Sequence, residues 1–261
     1  MRANSRVSIG VLFLKGGRAH IRSAEGPLTQ ICGWVEFGGV VFGSNVPLDA
    51  PLRDSGIPWL GEIPAHWETE RTRWLFRERD QRSETGEEEL LTVSHLTGVT
   101  PRSEKDVNMF EAETTEGYKI CFAGDLIINT LWAWMGAMGV SPVKGIVSPA
   151  YNVYQPGPRL VPSFVDALVR IPVFAQEVTR YSKGVWSSRL RLYPEGFFEL
   201  FFAVPPIGEQ RAIIAHIVAE TAKLDAIRSA TERAIALLKE RRAALIAAAV
   251  TGAIDVREEI V

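Results

Sequence analysis

Hydrophobic positions change their rhythm along this chain, and the change divides it. Toward the C-terminal end they recur every seven residues. Ile217, Leu224, Thr231, Leu238 and Leu245 form one row; Ile213, Glu220, Ile227, Ala234, Arg241 and Ala248 form a second, offset by four or three. The pattern is that of a helix packed along another long helix, with Glu220, Thr231 and Arg241 as interruptions. Pro205 and Pro206 bar helix upstream, Gly208 reads as the N-cap, Glu209 complements the positive helix end, and Gly252 stops the run after Val250. At about 1.5 Å per residue such a helix spans roughly 60 Å, longer than a domain built from the preceding residues. One apolar face has to be covered, and the rest of the pattern contains no second long helix to cover it.

Upstream the rhythm is short and mixed. Alternation and turn residues predict strands over 90–93, 118–122, 126–128, 146–147 and 151–154, while 164–168 and 199–202 fit a short helix or a strand equally well. The expectation is a mixed α/β domain followed by one long coiled-coil-forming helix. Residues 51–68 carry Pro51, Pro58 and Pro64 together with Trp59 and Trp67. Such a stretch is neither helix nor central strand, and reads as an ordered strap whose Trp59, Leu60 and Trp67 dock onto the domain. Residues 1–50 are glycine-rich, with strand-like runs at 7–14 and 38–42 and no evident role. The organisation expected is therefore an extension at 1–50, a domain at 51–205, the long helix at 206–251 and a tail at 252–261.

Composition narrows the classes. With 46% hydrophobic and 23% charged residues in 261, the chain is globular rather than disordered. Cys32 and Cys121 are too few for a disulfide framework or a thiolate metal site, and His20, His66, His95 and His216 lack metal-ligand spacing. No metal and no cofactor are expected. The opening apolar run breaks at Lys15 without a cleavage signature, and no run reaches membrane-span length, so a cytoplasmic protein free of membranes is expected.

The net charge of −2 conceals a gradient. From Glu84 to Asp125 there are ten acidic residues against three basic; from Pro142 to Arg191 there are seven basic residues against Asp166 and Glu177. A local positive field suits a polyanion, although a solvated basic surface has the same composition. The contact candidates for such a polyanion are Lys144, Arg180, Lys183, Ser187, Ser188, Arg189 and Arg191, the last two sharing a face if their segment is a strand. Arg102 and Lys105 are further candidates embedded among acids. Trp132 and Trp134, spaced by two in an uncharged run, read as the core face of a strand. Nucleotide-binding, phosphate-cradling, paired-histidine metal and nucleophile-elbow motifs are all missing from the sequence.

Four segments taken together, "DSGIPWLGEIPAHWE" (54–68), "GDLIINTLWAWMGAMGVSPVKGIVSPAYNVY" (124–154), "PPIGEQRAIIAHIVAETAKLDAI" (205–227) and "LLKERRAALIAAAVTGAIDVR" (237–257), resemble the DNA-specificity subunit of type I restriction-modification enzymes, in that family's order. The resemblance implies a target recognition domain beside a spacer helix, and a non-catalytic role directing a modification (methyltransferase) subunit and a restriction (endonuclease) subunit to a bipartite site. It also implies antiparallel pairing of spacer helices. This sequence holds one such module, the pattern of a half-size subunit, so the helix is expected to pair with a second copy through Ile213, Ile217, Leu224, Ile227, Leu238 and Leu245. The alternatives are an inactive gene remnant, a coiled-coil adaptor that does not touch DNA, and an enzyme of unrecognised chemistry.

Overall fold

The computed structural model describes residues 11–15, 18–22, 50–104, 114–184 and 190–254. The chain separates into two units, Met1–Val41 and Phe42–Val261. In the first, β1 (Val11–Lys15) pairs antiparallel with β2 (Arg18–Arg22), Lys15 opposite Arg18. The run at 7–14 overlaps β1; the run at 38–42 lies outside the described residues.

The second unit opens with the strap. β3 (Leu52–Asp54) and β4 (Glu62–Pro64) form a small hairpin that buries Ile57 and Ile63. The Trp59 ring meets Phe174 edge-on, centroids 5.6 Å apart, so the tryptophan docks onto the domain core as expected. Next come β5 (Glu68–Arg71), the single turn α1 (Thr72–Leu75) and β6 (Phe76–Arg79). The expected strands are present as β7 (Leu91–Ser94), β9 (Lys119–Cys121), β10 (Leu126–Asn129), β12 (Gly145–Val147) and β13 (Tyr151–Pro156), joined by β8 (Gly98–Pro101) and β11 (Met138–Val140). The ambiguous 164–168 is helical, within α2 (Pro162–Val169). The ambiguous 199–202 is a junction: α4 (Pro194–Glu199) ends there and β14 (Phe201–Val204) begins.

A four-stranded antiparallel sheet, ordered β11-β10-β13-β6, carries the architecture. Alternation along β10 places Leu126 and Ile128 in one cluster with Tyr154, Phe174, Phe197 and Phe202, and Ile127 in a second with Leu91, Cys121 and Val153. The sheet is thus apolar on both faces, which is why 126–128 reads as a continuous hydrophobic run. Helices α2, α3 (Pro172–Tyr181) and α4 supply residues to the larger cluster. Each begins with proline at its first turn, where the missing N–H costs nothing.

The long helix α5 spans Ile207–Val250, about 66 Å at the usual rise. It starts earlier than the glycine suggests. Pro206, extended at ψ 145°, is the N-cap, and its carbonyl accepts the Glu209 and Gln210 N–H groups at 2.9 and 3.0 Å, placing Gly208 inside the first turn. The far end matches expectation. Gly252 adopts φ +71°, Ala253 N–H reaches the Ala248 carbonyl at 2.8 Å and Gly252 N–H the Ala249 carbonyl at 3.3 Å, a Schellman stop.

Two buried polar residues fasten the helix to the domain. Glu209 faces His66 Nε2 with Oε1 and accepts the Trp67 indole N–H with Oε2, both at 2.7 Å. Gln210, fully buried, accepts from Val161 N–H and donates to the Arg159 and Pro205 carbonyls, each at 2.8 Å. Strap, α2 entry and helix base are therefore one hydrogen-bonded joint, in which Glu209 does more than complement a dipole. Past the joint the helix stands clear of the domain. Ile213 is half-buried, whereas Ile217, Leu224, Ile227, Leu238 and Leu245 are 40–65% exposed. Ile235, absent from the heptad rows, falls on the same face at 47% exposure. Among the described residues no helix is long and apolar enough to cross a membrane.

Candidate nucleic-acid interface

The basic stretch does not form one face. Arg159 is drawn to Glu68 and Glu70, and Arg170 pairs with Asp166 at 3.4 Å while donating to the Leu96 carbonyl. Lys144, exposed ahead of β12, sits 5.7 Å from the Phe122 ring centre, and its charge is felt by Glu88. Arg180 and Lys183 line one cleft, and Lys144, Arg159 and Arg170 are not part of its lining. Ser187, Ser188 and Arg189 lie outside the described residues, as does Lys105.

Arg180, Lys183 and Arg191 do come together, by a simple local route. The last turn of α3 presents Arg180, which pairs with the buried Glu177 at 3.3 Å. The chain then leaves the helix, and Lys183 and Arg191 exchange both backbone hydrogen bonds at 2.9 Å, forming the stem of a loop. Directly opposed residues in such a pair project to the same side with Cβ atoms about 5 Å apart. Here both are cationic and exposed, and neither has a carboxylate partner among the described residues. Like charges in this position repel, a cost that an anion between them would relieve. Beside the stem opens a shallow cleft of 620 Å³ whose lining includes Arg73, Arg180, Lys183, Glu195 and Glu199. Its charge is mixed, but Glu199 is already shared by Arg71 and Arg73. Close packing fixes the cleft floor: a Cβ at Gly196 would lie 2.4 Å from the Tyr181 carbonyl oxygen.

The tryptophan segment departs from its strand reading. After β10 the chain turns through a 3-10 helix, Ala133–Met135, and returns as β11. Asn129 N–H bonds the Ala137 carbonyl at 3.0 Å, the Asn129 side-chain oxygen accepts Leu131 N–H at 3.2 Å, and Gly136 closes the turn at φ +88°. Spacing by two imitates a strand, yet Trp132 is half exposed and lies against Trp134, centroids 6.3 Å apart and planes 23° from parallel. The loop abuts the basic stem, because Leu192 N–H bonds the Thr130 carbonyl at 3.1 Å.

Reactive chemistry is sparse. Burial pushes the Cys121 thiol up to about 11, so it stays protonated at neutral pH. Among the described residues no group of three or more His, Cys, Asp or Glu could hold a metal ion.

No family model and no curated protein matches this chain. Solved structures do. A chain from the structural study of complex assembly and conformational transition of the type I R-M system aligns with a TM-score of 0.52 and 18% identity, over 72% of this chain and 46% of that one. The HsdS subunit from Thermoanaerobacter tengcongensis aligns at 0.45 and 17% identity, over 64% of this chain and 40% of that one. The type I restriction-modification S subunit from M. genitalium aligns at 0.40 and 12% identity, over 63% and 41%. This chain spans less than half the length of each. The first likeness establishes the fold: a mixed α/β domain followed by one long helix, shared with a component of a type I R-M system.

Proposed function

We propose that this chain is a non-catalytic specificity subunit that reads double-stranded DNA and directs type I modification and restriction subunits to a bipartite site. The observation that carries the reading is the like-charged pair Lys183 and Arg191, opposed on a hydrogen-bonded stem with Arg180 nearby and no ion-paired carboxylate on either stem cation among the described residues. The fold shared with a type I R-M component supports it. Ser187, Ser188 and Arg189 would supply the remaining contacts, with the stem cations settling onto phosphates. Lys144, outside the cleft lining, is a further contact.

The helix supplies the second half of the proposal. Its open face through Ile217, Leu224, Ile227, Leu238 and Leu245 pairs with a second copy, Ile213 closing the seam at its base. An antiparallel arrangement brings Glu220 diagonally toward Arg241 of the other copy, unlike charges where a parallel one opposes like with like; Glu220 would have to exchange its present Lys223 partner, 2.7 Å away. Two recognition domains would then stand at opposite ends of a rod of about 66 Å, close to two turns of B-DNA.

Selection from a random duplex library, with the purified chain and its modification subunit sedimented together, tests both halves. Two copies per assembly and a palindromic bipartite motif with a fixed spacer are expected. A single copy or an asymmetric motif removes the paired arrangement. Uniform retention of all duplexes favours the second reading, a coiled-coil adaptor, to which the dispersal of Lys144, Arg159 and Arg170 lends its weight.

A further inference from the structure

The loop after β10 presents an apolar surface that the domain core does not use. Leu131, Trp132 and Met135 are 38, 50 and 38% exposed, side by side on a turn of five residues. Exposed apolar clusters of this kind mark contact sites, provided the backbone holds them in place. Here it does. Besides the closure by Asn129 and Ala137, the Trp132 carbonyl accepts the Met135 and Ala137 N–H groups at 3.0 and 3.1 Å. The Trp134 indole N–H is fixed on the Leu131 carbonyl at 3.0 Å, and the Thr130 hydroxyl on the Ala150 carbonyl at 2.8 Å. Helix α3 packs against the turn, where a Cβ on Gly136 would touch Ala175 at 3.7 Å.

Two features say what covers this surface. One is charge: the loop is tied through Thr130 and Leu192 to the segment bearing Arg191, the partner of Lys183, and the chain carries no Asp or Glu between Leu126 and Val165. A polyanion meets cations on one side of the tryptophan loop and no sequence-local acid on the other. The second is side-chain chemistry. Leu131, Trp132, Ala133 and Met135 offer one indole donor and only the weak thioether acceptor of Met135, so they are poorly suited to read the donor and acceptor pattern of base edges. A flat, rigid apolar face can instead press on sugars and base planes, and it gains most where a base step opens easily.

Resting on the DNA-reading function proposed above, we infer that Trp132, braced by Trp134 and flanked by Leu131 and Met135, is an apolar wedge that docks against duplex DNA and discriminates by deformability of a base step. Pyrimidine–purine steps, which unstack readily, are the sequences it favours. The stem cations and the wedge divide the work, electrostatic positioning on one side and shape discrimination on the other.

The experiment compares wild type, Trp132→Ala, Trp132→Phe and Lys183→Ala, each as the full chain with its modification subunit. Each is challenged with the random duplex library and titrated at several salt concentrations. Equal unfolding midpoints are expected, since Trp132 is half exposed. Trp132→Ala should select the same directly read bases at least tenfold more weakly, lose the preference for a pyrimidine–purine step, and keep the salt slope; Trp132→Phe should keep the step. Lys183→Ala should keep the step and lower the salt slope by about one unit. If wild type selects a motif and Trp132→Ala retains its affinity and step preference, the wedge is overturned while the DNA-reading function stands. If Trp132→Ala instead loses the modification subunit and still selects the same DNA, the surface belongs to a protein partner and the wedge is overturned. If wild type selects no motif, both fall together.

Discussion

Leu126 and Leu238 are the same side chain in opposite circumstances. Leu126 is fully buried in a strand that packs apolar neighbours on both faces; Leu238 is 64% exposed on a helix that no described element covers there. The domain closes its core within one chain, with phenylalanines contacting one another edge-on around Phe76, Phe174 and Phe202. The helix satisfies its backbone internally and leaves its aliphatic face to the surroundings. Stability in the first region is therefore a property of one molecule. In the second, helix formation draws on good formers over a length well past the nucleation limit, and only burial of the face depends on a partner. The joint of Glu209 and Gln210 lets the two regions differ so sharply while holding one geometry.

Deleting a core ring should show the contrast at its widest. Phe197 is fully buried, stacked on Tyr154 at 4.3 Å and edge-on to Phe76 at 5.4 Å. Phe197→Ala should cost about 3–5 kcal/mol in urea unfolding followed by tryptophan fluorescence, the usual loss for a large aromatic that leaves a cavity. A similar truncation on the helix, Leu224→Ala, should cost under about 1 kcal/mol in dilute chain, because its side chain is already in water. Comparable losses at both sites would mean that the helix face is covered within the chain.

The joint should give an intermediate effect. Gln210→Ala strands the Val161 N–H and two carbonyls away from water, and a loss of about 2–3 kcal/mol follows from orphaned buried groups. Glu209→Gln keeps the shape but replaces one carboxylate oxygen by an amide nitrogen, so it can no longer accept from both His66 and Trp67. About 1 kcal/mol should be lost, and amide exchange at the strap and the first turns of α5 should accelerate while exchange in β10 stays slow. Uniform acceleration would show that the joint is merely part of the core.

How far the sequence disclosed this structure depended on the range of the forces. Strands 126–128 and 151–154 were legible because short apolar runs and the turn residues beside them act locally, and so was the helix end, set by Gly252. Trp132 and Trp134 misled because a spacing of two is compatible with a tight turn; the turn signal was Gly136, whose positive φ no neighbouring pattern announces. Glu209 and Gln210 were legible as residues and invisible as a joint, since their partners lie in the strap and before α2. Charge told least. Consecutive basic residues fix no common face: Arg170 is paired by Asp166 one turn earlier, and Arg159 by Glu68 and Glu70, carboxylates that sequence order does not place beside it. Of the described candidates, Lys183 and Arg191 are brought together by two backbone hydrogen bonds that no sequence pattern announced.

The smallest effect on the folded domain should come from the change with the largest effect on association. Leu238→Glu introduces a charge at the centre of the open face. In dilute chain the new carboxylate stays solvated and glutamate is a good helix former, so unfolding should move by less than about 0.5 kcal/mol. Concentration separates the regions. If two copies bury this face, raising the chain to about 100 times its dissociation constant stabilises the associated form by about 2.7 kcal/mol, and the wild-type midpoint climbs with concentration. The Leu238→Glu midpoint should stay flat, because pairing would bury an uncompensated carboxylate against Leu224 and its neighbours. Sedimentation across the same range should show the wild type shifting to twice the chain mass and the variant remaining at one. A wild-type midpoint independent of concentration, with a single-chain mass throughout, would assign the face to a different protein, whose addition should then restore the climb in the wild type and fail to do so in the variant.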